Sequence, residues 1–156
     1  MNIFILSECP VKSAEYLCDK HCVKMTLETA QILCSVFETG VAPYRRTHYN
    51  HPCSVWSRSS SHNYQWTVDH GYALCREYTE RYGKIHKSEE VIRWCDYNRP
   101  RNLPKIGLTK FVLAMPEKYY NDNPVQAYRD YYNGEKVEFA RWKSEKIPYW
   151  FKGVSL

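Results

Sequence analysis

The chain has 156 residues, a formal net charge of +5 and an aromatic content of 15%. This length suffices for one domain with a buried core, and no Gly/Ser-rich linker, internal repeat or low-complexity run indicates a second domain. The apolar run at residues 1–6 is too short for a membrane span and lacks the basic start of a signal peptide. Those two classes are therefore excluded, and we expect a soluble intracellular (cytoplasmic) protein with no membrane partner.

The predicted elements are nearly all helical, because few alternating apolar and polar runs occur anywhere in the chain. Residues 2–6 are predicted to form a short strand or an extended arm that ends before Pro10. A first long helix is predicted over 11–38, and a second over 54–82, closed by Gly83.

Three shorter helices complete the prediction. One starts at Ser88, whose side chain can cap it. Another starts at the pair 123–124, an Asn followed by Pro, and stops at Gly134, and the last covers 135–143. We therefore predict a mainly α fold in a single domain over 1–156, built as a bundle of two long helices and several shorter ones.

Seven cysteines are spread through the chain, and we expect reduced thiols. Their number is odd, no secretory signal accompanies them, and most occupy apolar positions of predicted helices, where a free thiol acts as a small hydrophobe. They are Cys9, Cys18, Cys22, Cys34, Cys53, Cys75 and Cys95.

A narrow line of polar side chains on the first long helix is the main functional signal. Helical spacing points all of them the same way, between two apolar stripes. An imidazole, an amine and a carboxylate are costly to bury there unless they are paired or used. The line predicts the floor of an active-site groove, and the alternative is the solvated edge of a surface helix. Its members are His21, Lys24, Glu28, Gln31 and Ser35.

The loop at 44–53, between the two long helices, is rich in Arg, His and Asn, the residue types that often serve function in loops. Its cations and Arg58 could form a phosphate cradle opposite the first helix, and the alternative is a solvated basic loop. A basic charge combined with many aromatic rings favours a nucleic-acid partner. His51, held in a turn before Pro52, is a second candidate for acid–base work. The cradle residues are Arg45, Arg46, His48, His51 and Arg58.

Soft metal ligands occur in two clusters, at 18–22 and at 48–53. Zinc prefers four nitrogen or sulfur donors in a tetrahedron, but neither cluster follows a standard finger or ribbon spacing. We therefore expect packing thiols and loop imidazoles, with no bound metal and no cofactor.

Motifs at both ends of the chain resemble the pyrimidine-dimer DNA glycosylase/AP lyase family of T-even phages, also called the endonuclease V family. The family pattern is an N-terminal arm, an Asp-x-His motif, a catalytic Glu seven residues after the His, and a C-terminal Pro-x-Trp-aromatic-Lys. This chain has Asp19-x-His21, Glu28 at that spacing, and Pro148-x-Trp150 followed by an aromatic residue and Lys. The chain is also similar to uncharacterised phage proteins that share the runs DKHxxKM and NHP, which name no activity.

The resemblance implies a role for each matching residue. Glu28 would polarise the sugar and assist proton transfer during base loss and strand cleavage, and His21 would position the abasic sugar. The nucleophile of the family is an N-terminal α-amine, whose ordinary pKa near 8 leaves a useful unprotonated fraction at neutral pH. Trp150 and Lys152, together with Phe151, would contact the distorted duplex.

This chain departs from the family pattern at three positions. The second residue of the family is small, which allows removal of the initiator Met, whereas the larger Asn2 is expected to leave Met1 in place. The Met1 amine would then act, or Lys24 would supply the amine if burial lowered its pKa. Leu27 and Gln31 stand where the family has two arginines, which removes phosphate and sugar contacts.

Two other functions stay open at the level of sequence. One is an enzyme that processes a nucleotide or a modified base with His21, Glu28, His48 and His51, with or without a metal. The other is a phage binding protein that has no catalytic activity. The leading prediction is a metal-independent base-excision enzyme acting on DNA.

Overall fold

Residues 1–153 are described by a computed structural model of the chain, and their regular structure is entirely helical. Six α-helices and one short 3-10 turn occur in this part, with no strand, so the predicted mainly α class is confirmed. The helices are α1 (Pro10–Tyr16), α2 (Asp19–Cys34), α3 (Pro52–Arg58), α4 (Ser61–Tyr82), α5 (Glu89–Tyr97) and α6 (Pro124–Glu135), and the 3-10 turn covers Glu117–Tyr119.

The first predicted long helix, 11–38, is wrong as a single element. Leu17 and Cys18 adopt extended backbone with ψ of 134° and 163°, which separates α1 from α2. Arg81 on α4 stabilises the break, because its guanidinium donates to the carbonyl oxygen of Leu17 at 2.8 Å and to Asp19 at 3.2 Å. The two short helices can therefore change direction where one helix was expected.

The second predicted long helix is also divided. Ser60 is extended, with φ −157° and ψ 159°, and its hydroxyl accepts a hydrogen bond from the Asn63 backbone N–H, which makes it the N-cap of α4. The predicted stop at Gly83 is confirmed, since this glycine has φ 70° and closes the helix in the left-handed conformation.

The later helices follow the prediction at their starts. The α5 helix begins after Ser88, but the Ser88 hydroxyl bonds the Tyr44 hydroxyl at 2.9 Å and caps nothing. The Asn123 side chain caps α6 as expected. The helix predicted over 135–143 is wrong, because α6 ends at Glu135 and the following residues form turns.

The α4 helix is the centre of the architecture, since α1, α2, α3 and α5 all pack against it. The approach is closest at Gly71, where an added Cβ would lie 3.1 Å from Ile92 and 3.3 Å from Thr29. A side chain at this position would therefore push α5 and α2 away from α4.

The remaining predictions concern thiols and membranes. All seven cysteines are free thiols, as expected, and six of them are buried while Cys9 is exposed. Of the helices in residues 1–153, none combines the length and the apolarity that crossing a bilayer requires.

Candidate active site

The N-terminal arm is a buried segment without regular secondary structure, and the Asn2 side chain holds it in place. Asn2 Oδ1 accepts hydrogen bonds from the backbone N–H groups of Ile3 (2.8 Å) and Phe4 (3.0 Å), and Nδ2 donates to the Ala114 carbonyl (2.7 Å). Asn2 is only 8% exposed, so these bonds form away from water. One carboxamide thus fixes the direction in which the chain leaves Met1.

The α-amine of Met1 lies 3.2 Å from Glu28 Oε1. Glu28 projects from the middle of α2 and is 7% exposed. Its other oxygen, Oε2, is buried and has no hydrogen-bond partner among residues 1–153. The site therefore combines a primary amine, a carboxylate beside it and one carboxylate oxygen that is available to a further group.

A strained residue continues the arm. Phe4 is buried with φ 58°, a left-handed conformation that is unusual for a bulky residue. Its ring stacks on the His21 imidazole, with centroids 4.4 Å apart and planes inclined by 22°. This contact compensates for the backbone strain and ties the bend of the arm to α2.

His21 has a second partner on α6. Its Nδ1 lies 2.6 Å from the Tyr132 hydroxyl, which also accepts a hydrogen bond from the Cys18 backbone N–H at 3.3 Å. Burial, reinforced by the positive charges of Lys136 and Lys24, lowers the pKa of His21 to about 3. The imidazole is therefore neutral at physiological pH, and its contacts suit the support of the arm better than the transfer of a proton.

The first turn of α3 contacts the side chain of Met1. The Met1 sulfur lies 3.8 Å from the Ser54 hydroxyl. His51 is the N-cap of α3, and its Nδ1 accepts from the Cys53 backbone N–H at 3.1 Å. Burial, then the charge of the Met1 amine, lowers the pKa of His51, while burial raises the pKa of the Cys53 thiol to about 12. Neutral groups thus surround the amine and carboxylate on this side.

A cavity of about 440 Å³ opens on the exposed side of α2, and Glu28 is not among the residues that line it. Two of its residues, Leu27 and Gln31, flank Glu28 along the helix, and the others belong to the loop after it. Arg45 is exposed and brings a positive charge to this opening. The full lining is Leu27, Gln31, Tyr44, Arg45 and Thr47.

Two other cations of the predicted cradle stack on one ring. The guanidinium carbons of Arg46 and Arg58 lie 4.3 Å and 3.7 Å from the ring centroid of Tyr49. Arg58 also donates to the Tyr49 carbonyl at 2.6 Å, and Arg46 donates to the Phe37 carbonyl. His48 is exposed, with φ 50°, and points away from this stack toward Thr47, whose hydroxyl lies 2.8 Å from its Nδ1.

The remaining predicted site residues lie farther from the amine. Lys24 is exposed on α2, without the burial that its role as the reactive amine required. Trp150 packs near Tyr132, with centroids 5.9 Å apart, and the Lys152 backbone N–H donates to the Asn133 side chain at 2.8 Å. The tail therefore lies behind the His21–Tyr132 pair rather than beside Glu28.

Sequence reasoning missed three residues of this site. From the sequence, Asn2 was considered only for its size, Phe4 only as part of the apolar run at residues 1–6, and Tyr132 only as part of a predicted helix. Tyr132 lies 111 positions from His21, so no local spacing reveals their contact. Among residues 1–153, no three His, Cys, Asp or Glu side chains meet in a group that could hold a metal ion.

Comparison with known proteins gives one match. A family model described as pyrimidine dimer DNA glycosylase matches residues 1–91, which is more than half of the chain. The matched part contains the arm, α1 to α4, the loop 44–53 and the first residues of α5. No curated protein matches the chain, and no solved structure matches it either.

Proposed function

The chain belongs to the pyrimidine dimer DNA glycosylase family, and we propose that it excises a damaged base from DNA with the Met1 α-amine as nucleophile and Glu28 as its acid–base partner. The observation that carries this mechanism is the 3.2 Å contact between the amine and Glu28 Oε1. Family membership supports a DNA glycosylase-like activity, and the arrangement of these two groups supplies the chemistry.

The first step requires an unprotonated amine. Glu28 lies within reach to accept a proton from the Met1 ammonium, and the freed lone pair attacks C1′ of the deoxyribose. The glycosidic C1′–N bond breaks, its electron pair leaves with the base, and the base takes up the proton that Glu28 accepted, which restores the carboxylate. The new C1′–N bond joins the sugar to the protein.

The second step opens the sugar ring. The nitrogen, positively charged after its attack, gives a proton to the ring oxygen, which leaves C1′ with its electron pair, and the freed nitrogen lone pair forms a C=N bond to C1′. Glu28 then removes a proton from C2′, and the 3′ phosphate leaves in a β-elimination, which is the lyase reaction. Water hydrolyses the imine and restores the amine. Oε2, which has no other partner in the described part of the chain, suits the contact with the sugar.

The surroundings of the pair fit a DNA substrate. A damaged nucleotide must leave the base stack to reach a buried amine, and the cavity at Leu27 and Gln31, the neighbours of Glu28 on α2, would receive DNA close to the pair. Arg45 is the cation of this cavity and would contact a phosphate. The neighbouring positions Leu27 and Gln31 carry no charge, so base recognition there would depend on shape and on the amide of Gln31.

Borohydride trapping tests this mechanism directly. The protein is incubated with abasic duplex or ultraviolet-irradiated duplex, and the imine is reduced to a stable covalent adduct. We expect Glu28→Gln to lower the trapping rate by about 100-fold or more, because proton transfer contributes at least this much in general acid–base catalysis. The matched control is Glu80→Gln, an equal charge change at an exposed position of α4, which should trap at the unmodified rate.

Peptide mapping of the adduct distinguishes the two amines. We expect the modified peptide to start at Met1, and Lys24→Ala to trap normally. An adduct on Lys24 would replace the nucleophile, whereas the absence of an adduct on every DNA tested would eliminate the imine mechanism and favour a binding protein without catalysis.

A further inference from the structure

A second basic cavity is lined mostly by residues that follow the part matching the family. It has a volume of about 740 Å³ and sits at the start of α4. Three cations line it, Arg99, Arg101 and Lys105, and no carboxylate does. Tyr97 at its edge is 85% exposed. A concave surface with several cations and an exposed aromatic ring has the chemistry of a phosphate-backbone contact.

The charges of this cavity are largely free to meet a ligand. Arg99 is paired with Asp96 at 2.7 Å, and that carboxylate also accepts from the Tyr72 hydroxyl at 2.8 Å. Arg101 and Lys105 are exposed and make no ion pair within residues 1–153. Two other cavities in residues 1–153 carry cations without a carboxylate, one lined by Arg45 and one lined by Arg141 and Lys152.

The loop that carries these cations is fixed to the helical core at two points. The Ser61 backbone N–H donates to the Pro104 carbonyl at 2.9 Å. Farther along, Asn63 Oδ1 accepts from the Thr109 backbone N–H at 3.0 Å, and Asn63 Nδ2 donates to the Thr109 hydroxyl at 2.7 Å. A cation site on an anchored loop loses less conformational entropy on binding than one on a free loop.

Along the chain, the Arg46–Tyr49–Arg58 stack lies between Arg45, which lines the first cavity, and Ser61, which lines the second. Arg58 ends α3, and Ser61, three residues later, lines the second cavity, so their Cα atoms are at most about 11 Å apart. This distance corresponds to about three phosphates along one strand at 3.4 Å of axial rise per nucleotide. We define the basic track as the cations that follow this path, namely Arg45, Arg46, Arg58, Arg99, Arg101 and Lys105.

We propose that the basic track binds the phosphate backbone of the DNA on one side of the damaged nucleotide, with Arg101 and Lys105 as its distal contacts. This inference rests on the proposed function for the identity of the nucleic acid. The distal contacts bind backbone of any sequence, so they hold undamaged duplex as well as damaged duplex. They contribute to affinity and leave the chemical step unchanged, because the reacting sugar lies at Glu28.

The test compares two double variants with the same change of charge. Arg101→Glu with Lys105→Glu reverses two charges in the second cavity. Lys84→Glu with Lys87→Glu reverses two exposed charges at the other end of α4, which is 22 residues and therefore about 33 Å long. Binding of both variants and of the unmodified chain to undamaged duplex is measured over a range of salt concentrations, and trapping is measured on saturating abasic duplex.

We expect the cavity variant to bind undamaged duplex at least about tenfold more weakly than the unmodified chain. The plot of log K against log salt should also become less steep by about 2, since each lost phosphate contact removes about 0.9 from the magnitude of its slope. The control variant should keep the slope of the unmodified chain and should trap saturating DNA at the unmodified rate. An unchanged slope in the cavity variant, or an equal loss of affinity in both variants, would contradict the proposal that the basic track binds DNA. Duplex binding without any covalent adduct would contradict only the proposed imine chemistry. The salt dependence of binding would still test whether the basic track contacts the DNA backbone.

Discussion

At the scale of single residues, Asn2 acts in two ways on the α-amine nitrogen of Met1. Its size is expected to retain Met1, and its carboxamide directs the arm so that the Met1 amine reaches Glu28. A small residue at this position would lose both effects, because removal of Met1 would transfer the free amine one residue along the chain, about 3.8 Å away.

Replacing Asn2 tests this coupling. In Asn2→Ala we expect loss of Met1 and a fall in the trapping rate of about 100-fold, since a displacement of even 1 Å can have an effect of this size. Intact-protein mass spectrometry reports the N-terminal residue, and borohydride trapping reports the amine.

Asn2→Asp is the matched control. It is also too large to allow removal of Met1, and its carboxylate can still accept from the N–H groups of Ile3 and Phe4, although it loses the bond that Asn2 Nδ2 donates to the Ala114 carbonyl. This variant should keep Met1 and trap faster than Asn2→Ala. If Asn2→Ala traps at the unmodified rate, the arm does not determine the position of the nucleophile.

The sequence indicated part of the site at this scale. Helical spacing placed His21 and Glu28 on one polar line, and both are buried. The same spacing could not separate their roles, because the surroundings of His21 come from Phe4 and from Tyr132, which lie on other segments. A left-handed Phe4 has no sequence signature, since glycine is the residue that predicts this conformation.

At the scale of elements, helix ends with a local signal were predicted and breaks with a tertiary cause were not. Gly83 and the Asn123 cap each act through their own segment, and both are confirmed. The break between α1 and α2 depends on Arg81, which lies 64 residues after Leu17 in the chain. The Ser60 break did have a local signal in the serine N-cap, which the continuous helical pattern concealed.

Arg81 should therefore stabilise the whole helical junction. Its side chain is 1% exposed and contacts Asp19, Glu77 and the carbonyls of Leu17 and Glu15. We expect Arg81→Met to lower the free energy of unfolding by about 3 kcal/mol, because it leaves these acceptors without a donor. Urea denaturation measures the change.

Two variants control for charge and for position. Arg81→Lys keeps the charge but not the forked geometry of the guanidinium, so its loss should be intermediate. Arg76→Met removes an exposed arginine from the same helix and should change the unfolding free energy by no more than about 0.5 kcal/mol. Equal losses of unfolding free energy in Arg81→Met and Arg76→Met would contradict the structural role of Arg81 at the junction of α1 and α2.

At the scale of the whole molecule, two buried histidines make stability depend on pH. Burial lowers the pKa of His70 to about 4, and burial with nearby lysines lowers that of His21 to about 3. In the unfolded chain both have an ordinary pKa near 6.5, so the unfolded state binds more protons below that pH. The free energy of unfolding should therefore fall as pH falls from about 6 to 4, by about 1.4 kcal/mol per pH unit for each histidine.

His70→Asn separates the two contributions. The asparagine amide can still donate to the Pro10 carbonyl, which His70 Nδ1 contacts at 3.0 Å, but it does not titrate. Denaturation measured between pH 4 and 6 should give a pH slope about 1.4 kcal/mol per unit smaller than in the unmodified chain. Parallel curves for the two proteins would show that His70 contributes no proton linkage.

The net charge of +5 favoured a nucleic-acid partner, but it could not locate the contact surface. The basic track is assembled from two segments, 45–58 and 99–105, which come together because Ser61 bonds Pro104. Such a surface depends on tertiary contacts, so composition predicts its existence and only the fold predicts its course.

The contact between the Met1 amine and Glu28 also has a practical consequence for preparing this protein. An affinity tag fused ahead of Met1, or a formyl or acetyl group left on it, would turn the amine into an amide that can neither pair with Glu28 nor attack a sugar. If Met1 is the nucleophile and the basic track binds DNA, as we propose, such a preparation would keep its helical fold and bind duplex, yet it would register as inactive in a repair assay. A tag that is cleaved without leaving extra residues avoids this false negative.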